Sequence, residues 1–528
     1  MNETVVGEKG MVVAPHSAAA AAGTEALRAG GNAIEAIVAA AATIAVVYPH
    51  MNGIGGDAFF LIAEPGKAPR AIDACGAAGS LASSERYRKA GYDALPARGV
   101  YGALTVPGAV SGWGLALELA AVLGGRLPRR DLLAGAIKTA REGSPVSRSQ
   151  AQMAAAHLDE LKDIPGFAAT FLIDGKPPSI GARFVQERLA DTLDQIAHAG
   201  PDDFYRGDIA AEIAADLEQL GGLVTRDDLR QHRARAVEPL RTETRAATLF
   251  NLPPPTQGLA SLILLGLFDR LGVKRADGFD HIHGLIECAK RAGAVRDREV
   301  TDPAYVGEIG HYLEPAWLDA EAMRIDRRRV GALATAAAKG DTIWMGAIDG
   351  NGLAVSFIQS LYWEYGSGVV LPRTGIVLQN RGSSFSLDPS SRNPLSPGRK
   401  PFHTLNPPLA RCHDGRTVTY GSMGGDGQPQ FQAQIFTRYL LGMEPGEAVD
   451  GPRFRVGTTW GRRKMELEVE NRFDPDLLAE LEEAGHQVTV ANAAYLDSMG
   501  HAGLIVRRPD GRLLGAADPR ADGAAVAA

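Results

Sequence analysis

Thr342 stands at a change in composition. Before it, residues 331–341 read GALATAAAKGD. They are small, include two glycines and present no strong apolar face, so they read as a flexible segment. After it the residues become β-type, TIWMGAID. A threonine hydroxyl attacks a carbonyl carbon only when a base takes its proton. Cleavage between Asp341 and Thr342 would create that base on the same residue, because a free α-amino group titrates at about 7.7–8.0. A β-branched residue at a strand start is otherwise ordinary, so the weight falls on its companions. One is the run GSMGGDG at 421–427. Successive small residues let backbone N–H groups converge on one point, as an oxyanion hole requires; such runs also serve as plain turns after strands.

Other chemistries lack their residues. The chain has no GxSxG nucleophile elbow, no GxxxxGK[ST] phosphate loop and no HExxH zinc helix. His281 and His283 lack the ligand company of a zinc site and read as helix-surface or core histidines, so no metal is expected. Gly53, Gly55 and Gly56 follow a helical pattern and not a strand, which removes the dinucleotide-loop context. Three dispersed cysteines, Cys75, Cys288 and Cys412, make a disulfide framework improbable. A net charge of −7 without a basic run argues against nucleic acid as a partner. Residues 1–20 do not read as a secretory signal, and the most apolar stretch, 33–48, contains Glu35 and is too short to span a bilayer. A cytoplasmic protein without membrane partners is expected.

The elements that must position Thr342 follow from pattern. A helix over 17–28 should stop at Gly30 and Gly31. Asn32 and Glu35 form a capping box for a second helix, apolar all round and therefore buried. A glycine-rich turn at 52–57 and a strand at 58–63 follow. Residues 112–330 read as mostly amphipathic helix, including 116–123, 184–198 and 209–220. Strand 342–349, a Gly350-Asn351-Gly352 turn and strand 353–361 make a hairpin. Further strands are expected at 368–371, 375–379 and 417–420, then a helix capped by Asp474 with Pro475 in its first turn.

Several segments carry a family resemblance, in order along nearly the whole chain. GGNAIEAIVAAAATIAVVYPHMNGIGGDAFFLI, GPDDFYRGDIAAEIAADLEQLGGLVTRDDL, LPPPTQG, the stretch opening at Thr342, SMGG and the terminal GAADPR resemble the γ-glutamyltransferase family. The resemblance implies an α+β fold, the four-layer αββα sandwich of N-terminal-nucleophile (Ntn) hydrolases. It implies a proenzyme cleaved at Asp341–Thr342 into a large subunit, 1–341, and a small one, 342–528, intertwined in one catalytic domain and possibly paired as a dimer of heterodimers. It implies no cofactor. Thr342 takes the nucleophile's place, Ser360 that of the supporting hydroxyl, and Gly424 and Gly425 those of the oxyanion glycines.

The departures bear on substrate. Where glutamyl enzymes of the family carry a carboxylate-binding arginine after an AID strand, AIDACG has Cys75. Ser384 stands where they have an aspartate for the α-amino group, Tyr362 replaces an asparagine, and Arg381 replaces a glutamine. His403 and Thr404 replace a serine pair. The machinery persists while the reader of a zwitterionic donor is lost, and a misplaced arginine changes charge where it matters. The stretches GDTIWMG, QNRG, PFHTLNP and YGSMGGDGQPQ resemble the oxamate-hydrolysing branch of the family, which serves purine catabolism. Hydrolysis of oxamate to oxalate and ammonia is the expected activity, with Arg381 binding the substrate carboxylate; a surface arginine is the competing reading of that residue. The rival functions are a γ-glutamyl hydrolase or transferase acting on glutathione, a dicarboxylic (cephalosporin-type) acylase, and an unprocessed binding protein.

Overall fold

The computed structural model describes residues 3–333, 340–457 and 466–528. The expected flexible segment falls mainly on 334–339, outside the described residues. Two seven-stranded sheets form the centre. In the first, the strands run Ala524–Ala527, Gly10–Ala14, Asp341–Asp349, Ala354–Tyr362, Asp57–Ala63, Arg70–Ala74, Arg235–Val237. In the second they run Val5–Gly7, Leu513–Ala517, Ala502–Arg507, Thr417–Ser422, Leu409–Cys412, Ala247–Asn251, Leu240–Glu243. Neighbouring strands are antiparallel in both, including the hairpin that follows Asp341.

The period of two along each strand builds the layers. Ile343, Met345 and Ala347 join a core with the helix Ala33–Val47, which is buried along its whole length. Trp344 and Ile348 point the other way, into a core between the sheets that contains Phe59, Leu61, Phe250, Leu409 and Ile505. The second sheet's outer residues, such as Val418, Tyr420 and Leu504, pack against the helices Gly258–Leu271, Phe279–Glu299 and Gln428–Leu440. The order is therefore helix, sheet, sheet, helix. Close approach of the sheets explains Gly421: a Cβ there would stand 2.1 Å from Trp344 Cδ1.

Local chemistry explains the entry to this core. The Asn32 side chain accepts from Ile34 and Glu35 N–H, and Glu35 returns a bond to Asn32 N–H, so the expected capping box forms. The terminal GAADPR is held by buried charge: Arg520 pairs with Glu470 at 2.5 Å and Asp518 with Arg453 at 2.6 Å.

Two expectations fail. Residues 368–371 and 375–379 are not strands; they share a single bridge between Val370 and Val377. Gly368 and Gly375 take positive φ (77° and 68°), which turns the chain away from extended pairing. The helical reading of the middle region also misses the strands Arg235–Val237, Leu240–Glu243 and Ala247–Asn251. All three are short, and the first two are largely exposed, so their apolar pattern is weak.

Candidate active site

The first sheet sets four residues side by side at one end. Thr342 opens the strand Asp341–Asp349 and shares the inter-sheet side with Trp344. The register slips beside it: Asp341 pairs with Tyr362, but Ile343 pairs with Gln359. Ser360 and Leu361 thus oppose the single Thr342, a bulge of the kind that re-aims a side chain. Ser360 pairs in turn with Asp57 on the next strand, and Ala58 with Ala74, which brings Cys75 beside Asp57. The second sheet supplies the facing side from its strand ends: Thr256 and Gln257 after Ala247–Asn251, His403 to Asn406 before Leu409–Cys412, and the glycine loop after Thr417–Ser422.

Thr342 Oγ1 lies 2.7 Å from Asp341 O and 3.1 Å from Ser360 Oγ. Ser360 Oγ donates to Asp341 O at 2.6 Å and accepts from Tyr362 N–H at 2.7 Å. The Asp341 carbonyl thus accepts from two hydroxyls, one of them on the adjacent residue. Thr342 and Ser360 are each 1% exposed. Gly424 and Gly425 have φ of 127° and 55°, a left-handed pair that lets successive peptide N–H groups turn one way. A Cβ on Gly424 would meet Phe431 at 2.4 Å. Gln257 Nε2 ties Gly425 O at 2.9 Å and Thr404 O at 2.6 Å, and Arg296 Nη1 holds Gln257 Oε1 at 3.1 Å. Gly340 lies across this loop: the place of a Cβ on it is 3.2 Å from both Gly425 Cα and the Tyr362 ring. Gly340 therefore lies between the glycine loop and Tyr362.

Arg381 is fully buried, so the surface reading fails. Its guanidinium stacks on the Tyr362 ring at 3.6 Å, and Nη2 donates to Thr404 Oγ1 at 2.9 Å. Its Nε and Nη1 have no partner among the described residues. The other fully buried arginines each hold a carboxylate: Arg438 with Asp277, Arg453 with Asp518, Arg520 with Glu470. Burial lowers the Arg381 pKa from its ordinary value, against the raising influence of Tyr362, Asp57 and Cys75.

The nearest acid is committed elsewhere. Asp57 Oδ1 accepts from Gly76 and Gly108 N–H at 3.0 and 3.1 Å, and Oδ2 meets His403 Nε2 at 3.0 Å. Burial pushes the Asp57 carboxyl up to about 7, opposed by the hydrogen bonds from Gly76 and Gln379 and by the Arg381 charge. Burial, then Arg381 and Lys400, drives the His403 pKa well below its ordinary value, so the ring is neutral. Its Nδ1 has no partner among the described residues. Cys75 Sγ belongs to the same cluster, within 4.8 Å of ligand-type atoms of Asp57 and His403, and burial raises its thiol pKa well above the ordinary value. Ser384 stands apart: its hydroxyl donates to Phe402 O at 3.1 Å. His283 has both ring nitrogens engaged, by His486 at 2.8 Å and Asp326 O at 2.9 Å.

The geometry joins Thr342, Ser360, Tyr362, Arg381, Thr404, Gly424 and Gly425, and sets His403 and Cys75 on its border through Asp57. Sequence reasoning passed over Asp57, Gln257, Asn406 and Gln428. All four lie inside segments that carry the family resemblance, but a neutral amide has no spacing signature and becomes visible only through its partners.

Comparison with known proteins agrees with this architecture. A profile of the gamma-glutamyltranspeptidase family matches residues 19–528. Over the full length of both chains, the sequence is 52% identical to an oxamate amidohydrolase proenzyme of Klebsiella pneumoniae and 40% identical to a glutathione hydrolase-like proenzyme of Bacillus subtilis. The fold superimposes on a cephalosporin acylase from Bacillus halodurans with a TM-score of 0.91 at 33% identity, covering 100% of this chain and 97% of that one. The chain belongs to the γ-glutamyltranspeptidase family and is an enzyme of the Ntn-hydrolase type. Among the described residues no helix is long and apolar enough to cross a membrane.

Proposed function

We propose that the chain cuts itself between Asp341 and Thr342 and that the mature enzyme hydrolyses oxamate to oxalate and ammonia. One observation carries the substrate: among the described residues, a buried guanidinium has two nitrogens without a hydrogen-bond partner and no carboxylate of its own, and it stacks on the ring that borders Gly340. A buried charge without a counter-ion is costly, and a planar fork suits a carboxylate. Oxamate carries its carboxylate directly on the amide carbon, so it needs a cation close to the nucleophile. The 52% identity to the Klebsiella proenzyme supports the same reading.

In maturation, Thr342 Oγ1 adds to the Asp341 carbonyl carbon while Ser360 Oγ–H holds the developing oxyanion. The proton lost by Oγ1 passes to the peptide nitrogen, the C–N bond breaks, and water hydrolyses the resulting ester to the Asp341 carboxylate and the Thr342 hydroxyl. Chains 1–341 and 342–528 remain, the second with a free α-amino group. In turnover that amine takes the Oγ1 proton as Oγ1 bonds to the amide carbon of oxamate. Gly424 and Gly425 N–H groups stabilise the oxyanion. The C–N bond then breaks, and ammonia leaves with the proton. Water, deprotonated by the same amine, releases oxalate and returns the proton to Oγ1. Arg381 holds the carboxylate throughout, and Thr404 and Tyr362 hold Arg381. His403 and Cys75 close the far wall, and Ser384 shapes the loop beyond Arg381. The same reading puts the enzyme in the cytoplasm, in purine catabolism.

A panel of oxamate, glutathione and a glutaryl amide tests the proposal. Oxamate should give the highest kcat/KM. Faster turnover of glutathione or of the glutaryl amide would refute it.

A further inference from the structure

A chain of buried amides ends on the nucleophile. Gln428 is the first residue of the helix Gln428–Leu440 and is fully buried. Its Nε2 lies 3.5 Å from Thr342 Oγ1. Its Oε1 accepts from Asn406 Nδ2 at 3.2 Å, and Asn406 Oδ1 accepts from Asn251 Nδ2 at 3.2 Å.

The orientation of a side-chain amide follows from its network, and here backbone groups that cannot turn over fix the network. Asn251 Oδ1 accepts from the N–H of Leu252 at 2.9 Å, so Asn251 must offer its NH₂ to Asn406. Asn406 Nδ2 also donates to the carbonyl of Thr404 at 3.1 Å, so Asn406 must turn its NH₂ toward Gln428. Gln428 is then obliged to accept with Oε1 and to present Nε2–H to Thr342. Reversing Gln428 would set two NH₂ groups against each other, and reversing Asn406 would set its oxygen against the Thr404 carbonyl.

A donor at Oγ1 has definite consequences. It cannot take the nucleophile's proton, which must leave toward another group. It stabilises charge on Oγ1 as that atom loses its proton to attack, and again when Oγ1 departs from the acyl carbon in deacylation. We propose that Gln428 is a catalytic residue that donates to Thr342 Oγ1 in both steps, and that Asn406 and Asn251 are positioning residues that keep its donor end there. The proposal rests on Thr342 being the nucleophile.

Gln428→Met keeps length and bulk but removes the donor. Oxamate kinetics, the rate of self-cleavage and thermal melting are measured on the full chain. The expected kcat is about 10- to 100-fold lower, less than the 10²–10³ of a well-placed oxyanion donor because 3.5 Å is long. KM should stay within about twofold and self-cleavage should slow. Asn406→Asp is the second variant. Its carboxylate offers only acceptors, so Gln428 must turn its NH₂ away from Thr342, and kcat should fall at constant KM although Gln428 is intact. A residue that merely packs the helix would not produce this split. Parental kcat and cleavage in Gln428→Met overturn the proposal. Should that variant fail to fold, parental kcat in Asn406→Asp overturns it. Thr342→Ala separates this inference from the reading beneath it. If that variant is cut or active, the nucleophile assignment falls. If it is uncut and inactive while Gln428→Met is normal, only the role of Gln428 falls.

Discussion

Under the proposed function, replacing Arg381 with glutamine separates substrate binding from the chemistry. Nε and Nη1, which have no partner among the described residues, lie on opposite edges of the guanidinium, so a carboxylate takes two charge-assisted bonds from one of them and the remaining N–H of Nη2. Each such bond contributes about 1.5–3 kcal/mol, so together they contribute about 3–6 kcal/mol. Glutamine can restore one neutral bond of about 1 kcal/mol. The net loss, about 2–5 kcal/mol, corresponds to a fall in kcat/KM on oxamate of about 30- to 5,000-fold. Oxamide has the same shape without the charge, and its kcat/KM should fall less than about tenfold, the value of a single neutral hydrogen bond. Self-cleavage should proceed, because no contact of Arg381 with Thr342 or Asp341 enters that step. Stability should move the other way. The substrate-free variant loses a buried charge that has no carboxylate partner, offset by the stacking on Tyr362, so its Tm should match or exceed the parent's. Oxalate at 100 times the parent's Kd should raise the parent's stability by about 2.7 kcal/mol and the variant's by less than about 1 kcal/mol. The assay is steady-state ammonia release with both amides, paired with melts with and without oxalate. Parental turnover of oxamate by the variant would refute the reasoning, as would equal losses on oxamate and oxamide.

Three further outcomes follow from the geometry. Thr342→Ala should give one uncut chain of 55.7 kDa on a denaturing gel and no amidase activity, and N-terminal sequencing of the parent's small fragment should begin at Thr342. Gly425→Val puts a β-branched residue at φ 55°, which strains the loop and displaces its N–H groups; kcat should fall about 10²–10³-fold, and normal turnover would show that Gly425 is only a turn residue. Asp57 holds its proton in the folded chain up to about pH 7, whereas the unfolded chain releases it near its ordinary 3.8. The folded state therefore binds the extra proton between these values, and the stabilisation present below 3.8 is lost as pH rises through 7. Melts from pH 4 to 8 should show a steeper decline in the parent than in Asp57→Asn, by a few kcal/mol at most; parallel curves would remove Asp57 from the titration.

The sequence announced elements wherever local rules were strong. The Asn32–Glu35 capping box, the Gly350–Gly352 hairpin turn and the Asp474 cap each rest on contacts within a few residues, and each appears where expected. Residues 368–379 misled because an apolar run bounded by glycines looks the same whether it pairs or turns, and only the positive φ of Gly368 and Gly375 decides. At the site, the sequence singled out Thr342 because it opens a strand after a run of small residues, and the structure sets it beside Ser360 and Gln428. Arg381 was ambiguous because burial is a property of the fold; nothing in QNRGSS reveals that the guanidinium lies on Tyr362. The amides Gln257, Asn406 and Gln428 were silent for the same reason, since their function lies in partners more than 20 residues away in sequence.

The row across the first sheet also separates two tasks. Thr342 and Ser360 sit on the central hairpin, where the Asp341 carbonyl, the glycine loop and Gln428 meet. Asp57 and Cys75 lie one and two strands further out, with His403, beside Arg381. Under the proposed function, a change at the outer end should alter the charge offered to a substrate without moving Thr342, because the strands between are fixed by backbone pairing. Under that function, a cation at residue 381 and not at the outer strand suits a carboxylate adjacent to the amide. On this view Tyr362 serves both ends. Its N–H holds Ser360 Oγ at 2.7 Å while its ring carries Arg381 at 3.6 Å, so substitutions that keep the backbone and change the ring should alter substrate choice before they alter self-cleavage.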